Sequence, residues 1–189
     1  MSSYGPHSRL LATLHHFHES KWGWLIYRTS YRSPATWTRF TQILASWSGD
    51  ELSAPGVPVE LKTMCAWTVV SDPTLEGASR QELRNRFREW RATAVKEENP
   101  NRREGLRPLP QRYLHFVVVD EEAMEGVVRA GGDWMGRGWV ELVRADETWD
   151  FAEREDGEED EGWMRIRASI VNAEFYKAVG VGNEGWYSF

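Results

Sequence analysis

Stretches in which apolar residues run almost unbroken alternate along this chain with stretches in which they recur every three or four positions. The two patterns predict strands and helices in turn. Residues 24–31 predict a strand, because Leu25, Ile26, Tyr27 and Tyr31 favour extended backbone. Ser33 and Pro34 then supply an N-cap and a first-turn proline for a helix whose stripe is Trp37, Phe40, Ile43, Leu44 and Trp47, with Gly49 as its expected stop. The run from Leu61 to Val70 scarcely alternates and predicts a central strand covered on both faces. Ser79 and Glu82 have the spacing of a capping box, and Leu83, Phe87, Trp90 and Ala94 continue the helix it opens.

Residues 113–119 predict an interior strand, after which Asp120 caps a short helix through Met124, Val127 and Val128. Residues 139–144 predict another strand. In residues 163–170 Met164, Ile166, Ala168 and Ile170 alternate with Arg165, Arg167 and Ser169, the pattern of a strand wet on one side. Leu10, Leu11, Leu14 and Phe17 suggest a short helix within an N-terminal extension, residues 1–21. About five strands with three to four helices imply a single α+β domain over residues 1–189, with a mixed or antiparallel sheet. A ferredoxin-like variant is the specific arrangement expected; a small α/β doubly wound sheet is the alternative.

Composition changes the picture through charge more than through hydrophobicity. The formal net charge is −6, but residues 80–112 hold ten Lys and Arg against five Asp and Glu, while residues 120–161 hold four against sixteen. Residues 146–161 alone carry ten acids and one Arg, and are expected to form a solvated, disordered loop. An acidic total argues against a dedicated nucleic-acid binder. No apolar run is long enough to span a bilayer, the N-terminus lacks a signal-peptide pattern, and Cys65 is the only cysteine. The expected location is therefore intracellular and cytoplasmic.

Several blocks carry a likeness. They are Trp22-Gly23-Trp24-x-Ile26-Tyr27-Arg28-Thr29-x-Tyr31, Leu75-x-Gly77-Ala78-Ser79 with Arg84, Phe87 and Trp90, Arg112-Tyr113-x-x-Phe116-x-x-Val119-Asp120, and Gly162-Trp163-Met164. Together they resemble a group of uncharacterised filamentous-fungal proteins that open on a W-G-x-x-I-Y-R-T-x-Y strand, a likeness covering most of residues 22–176. The resemblance implies a fungal intracellular protein and transfers no activity.

Candidate chemistry is sparse. His15, His16 and His18 lack the partners and spacing of a metal site, so no metal or other cofactor is expected. Cys65 could act as a nucleophile with His115 as base, but a mid-strand cysteine is more often a small core residue. Arg28 lies within an apolar strand, needs a counter-charge, and is expected to pair with Asp120. Arg80, Arg84, Arg88 and Arg91 form a stripe flanking the buried face of their helix, suited to an acidic partner or to a role within the fold. Eleven Trp are present, of which Trp139 and Trp163 flank loops and could line an interface. The leading expectation is a non-catalytic binding module for a protein partner or small hydrophobic ligand, using an aromatic surface and the Arg stripe. The alternative is a small metal-independent enzyme acting on a hydrophobic or aromatic metabolite, with Tyr27, Arg28, His115 and Asp120 as its acid–base and anion-binding groups.

Overall fold

The computed structural model describes residues 5–102, 109–131, 133, 138–145 and 162–179. The acidic stretch 146–161 therefore lies outside the described residues, as do Trp134, Trp149 and Trp186. In chain order the elements are α1 (Pro6–His16), β1 (Leu25–Arg28), α2 (Pro34–Ser53), α3 (Val59–Met64), β2 (Thr68–Val70), α4 (Arg80–Glu98), β3 (His115–Val119), α5 (Glu121–Arg129), β4 (Trp139–Arg144), β5 (Trp163–Arg167) and α6 (Ala173–Val179). They build one α+β domain around a mixed five-stranded sheet in the order β2-β1-β3-β4-β5. Strand β1 runs parallel to both β2 and β3, whereas β4 is antiparallel to β3 and β5 to β4.

Alternation along the strands divides the core in two. Trp24, Ile26, Val117, Val119, Val140, Leu142 and Ile166 face a layer built from α1, α2, α3, α5 and α6. Leu25, Tyr27, Phe116, Val118 and Val143 face Leu75 and the stripe Leu83 and Phe87 of α4. The capping box forms as the spacing requires: Ser79 accepts from the Glu82 backbone N–H while the Glu82 carboxylate accepts from the Ser79 N–H. Ser33 likewise accepts from Thr36 N–H at the start of α2.

Several expectations need correction. Residues 61–70 are not a central strand: Leu61 to Met64 close α3, and β2 is a three-residue strand at the sheet edge. A short apolar run is compatible with either period, and here Leu61 buries completely as a helical residue. Helix α2 does not stop at Gly49 but continues to Ser53, with Leu52 packed on the core. It ends before Pro55, whose preceding residue Ala54 is pushed out of the helical region. The last strand is shorter than residues 163–170, because Ala168–Ile170 wind into a 3-10 turn. Six helices, not three or four, occur among the described residues.

The sheet is also not ferredoxin-like, since three adjacent strands run parallel. The β2-β1-β3 order comes from two crossovers. One, through α2 and α3, covers one face; the other, through α4, covers the opposite face and passes over β1. The gap between the C-terminal ends of β1 and β3 is therefore a switch point, where open parallel sheets present a crevice.

Candidate functional site

Arg28 ends β1 at this switch point and is 7% exposed. The expected ion pair with Asp120 does not form. Arg28 Nε donates to Ser30 O at 2.7 Å and Nη1 to Ser71 Oγ at 3.5 Å, and the guanidinium lies 4.3 Å from the Tyr31 ring centre and 4.7 Å from that of Trp37. Carbonyl and hydroxyl oxygens with two aromatic faces replace the carboxylate. Asp120 instead accepts from Ala123 N–H at 2.8 Å and caps α5. Glu121 and Glu76, which accept from Ser30 Oγ and, at 2.6 Å, from Tyr31 N–H, supply acid to the same edge.

The acid–base set required by an enzyme is dispersed. Tyr27 points to the α4 face, its ring edge-on to Phe116, while Arg28 points to the opposite face. His115 begins β3 and Asp120 follows its end, a separation of roughly 16 Å along the strand. Burial, with the Arg144 charge adding to it, pushes the His115 imidazole down to about 3. Cys65 is the C-cap of α3, and burial, reinforced by Glu51, pushes its thiol up to about 11, opposite to the shift a thiolate nucleophile needs.

The arginine stripe is engaged within the fold. Arg84 Nε and Arg88 Nε donate to the carbonyls of Arg144 and Ala145, each at 2.9 Å, and Arg91 Nη1 reaches Tyr113 O at 3.3 Å. Arg80 makes a two-pronged bond to Glu141, at 2.8 and 2.6 Å, with its guanidinium 3.5 Å above the Trp163 ring. These side chains clamp the end of β4 onto α4, so Trp163 is half-buried while Trp139 remains 42% exposed.

A cluster that the sequence reading passed over lies at the other end of the parallel strands. Arg112, 1% exposed, binds Glu98 through Nε at 2.6 Å and Nη2 at 2.8 Å, and donates to Ala66 O at 2.5 Å and Thr68 Oγ1 at 3.0 Å. Tyr113 OH adds a third bond to Glu98 at 2.7 Å, and the Arg112 N–H reaches Tyr176 OH at 3.1 Å. Burial alone would raise the Glu98 carboxyl, but the hydrogen bonds from Arg112 and Tyr113 and the Arg112 charge outweigh it and hold the group at about 2. This cluster ties α4, β2 and α6 to the entry of β3. Its sequence signal was Arg112 directly before an apolar strand, a position that demands a counter-charge as Arg28 does.

Two of the sequence-derived residues do meet. Asp120 and Trp139 line an open crevice of about 170 Å³ between α5 and the β4–β5 hairpin, with Glu122, Glu125, Glu141, Arg129 and Arg165 around it. Gly138, directly before β4, sets the approach of its neighbours: a Cβ there would lie 2.6 Å from Val127 Cγ2 and 2.8 Å from Val127 Cα, so only glycine lets β4 start this close to α5. Glu122 and Arg165 pair at 3.0 Å across the rim. Arg80 holds Glu141 from outside and Arg129 pairs with Glu125 at 3.7 Å, so four carboxylates are set against three guanidiniums, which leaves the crevice acidic by one charge, that of Asp120, with one exposed indole in its wall.

Among the described residues, no group of three or more His, Cys, Asp or Glu side chains is placed to hold a metal ion; His15 bonds Glu60 at 2.8 Å and His7 bonds Glu51 at 3.2 Å. No helix among them is long and apolar enough to cross a membrane. No protein-family model matches the chain, and neither a curated protein nor a solved structure matches it.

Proposed function

We propose that this chain is a non-catalytic interaction module that captures a basic, extended segment of a protein partner in the crevice beside Trp139. The observation that carries this reading is the pairing of an exposed indole with a surplus of carboxylates in one concavity. An aromatic face attracts Lys or Arg, and flanking carboxylates add charge complementarity that speeds encounter and selects against acidic partners. The dispersal of Tyr27, Arg28, His115 and Asp120 weighs against the enzyme reading, and the engagement of Arg80, Arg84, Arg88 and Arg91 within the fold weighs against nucleic acid. A single cysteine suits a reducing compartment, so the reading puts the module in the cytoplasm, and the motif likeness makes a filamentous fungus its expected source.

The test is fluorescence anisotropy with a labelled heptapeptide of alternating Gly and Arg, and with its Gly/Glu counterpart as control. Binding of the Arg peptide alone, weakening with salt and reduced roughly tenfold by Trp139→Ala, supports the reading. Binding that Trp139→Ala leaves unchanged places the contact elsewhere, most simply on the acidic residues 146–161, and refutes it.

A further inference from the structure

A second concavity, independent of the Trp139 crevice, opens between α1 and α6 near the entry to β3. Its volume is about 140 Å³, and its wall is mostly apolar, made by Leu10, Leu14 and Phe17 of α1 and its end, Leu109 and Pro110, and the Tyr176 ring. Two side chains in it carry buried acceptors without hydrogen-bond partners, Glu19 and Gln111, and of the two only Glu19 has an ion-pair partner, Arg102. Gln111 is 9% exposed, yet its side-chain oxygen is buried without a hydrogen-bond partner. A buried acceptor left unmade costs free energy that native folds rarely tolerate without a reason. The nearby Glu19 carboxylate is already held by Arg102, so it does not provide a competing charge.

We propose that this cavity binds a small uncharged molecule with a flat apolar body and one hydroxyl or N–H group, which donates to Gln111 Oε1. The size suits a one- or two-ring ligand, and such pockets commonly combine apolar walls with few orienting polar groups. An uncharged ligand is favoured because the one carboxylate in the wall is paired and the one ammonium, Lys177, sits at the edge beside the like charge of Arg9. A donor is specified because Gln111 Oε1 is the open acceptor of the uncharged group in the lining, whereas the other side chain with open oxygens, Glu19, is ion-paired with Arg102. The site differs from the peptide crevice in place and chemistry, so either can fail without the other.

Isothermal titration calorimetry with 2-naphthol and 2-methoxynaphthalene separates the donor from the ring system, since the second probe keeps the rings and lacks the O–H. The expected result is saturable binding of 2-naphthol, about tenfold tighter than 2-methoxynaphthalene. Gln111→Leu should abolish that preference while retaining the ether. Thr13→Trp, at an exposed position in the wall, should block both probes without touching the core. Absence of 2-naphthol binding at ~1 mM, a preference that survives Gln111→Leu, or binding unaffected by Thr13→Trp overturns the proposal. If Gln111→Leu fails to fold, the probe pair on the parent chain and the Thr13→Trp block decide it.

Discussion

Replacing Glu98 with Gln removes one charge from the cluster around Arg112 and keeps its shape. The folded chain holds the Glu98 carboxyl at about 2, against an ordinary 4.5, so the ionised form is bound far better folded than unfolded. A depression of that size corresponds to roughly 3 kcal/mol at neutral pH, and water at the partly open edge of the carboxylate screens it to ~2. Loss of the partner also leaves Arg112 charged and buried, though still bonded to Ala66 O and Thr68 Oγ1, which keeps the penalty at the low end for a broken buried pair. Glu98→Gln should therefore cost about 2–3 kcal/mol at pH 7. Because the folded value lies below the unfolded one, this stability is complete above about pH 4.5 and is lost as pH falls toward 2. Urea unfolding of both proteins from pH 7 to pH 3 should show a constant gap that begins to close below about pH 4.5, by up to ~1.4 kcal/mol per pH unit. A gap under ~0.5 kcal/mol at pH 7, or one that does not narrow in acid, would show that Glu98 is not held ionised by Arg112 and Tyr113.

Gly138→Ala should destabilise by about 1–3 kcal/mol through overlap with Val127, and an unfolding midpoint matching the parent would remove the close-approach account of the crevice. The His115 imidazole, pushed down to about 3 by burial, should show no titration by NMR between pH 7 and pH 4; a midpoint near its ordinary 6.5 would contradict the buried placement. The unfolded chain takes that proton first, so His115 contributes stability above about pH 6.5 that drains away down to about pH 3. Cys65, with its thiol at about 11, should react with iodoacetamide at pH 8 roughly two orders of magnitude more slowly than free cysteine, and equal rates would show that the α3 C-cap is open to solvent.

What the sequence determined by itself was local. Ser33 with Pro34, the Ser79 and Glu82 pair, and Asp120 start three helices because a cap satisfies its own nearby N–H groups and needs no distant partner. The β3 strand, apolar after His115, and the wet-sided β5 were legible for a similar reason, since burial on two faces or one is written directly into the side-chain period. Tertiary structure decided everything that depends on who lies opposite. The stretch 61–70 split into helix and edge strand because a run of apolar residues specifies burial without specifying the period in which it is met. Arg28 found carbonyls and rings instead of Asp120, and the α4 arginines found the carbonyls at the end of β4, because a guanidinium accepts any of several oxygen partners and geometry alone chooses. The meeting of Asp120 with Trp139 was likewise invisible along the chain, for it depends on the absence of one Cβ at Gly138 and on the antiparallel return of β4 beside β3.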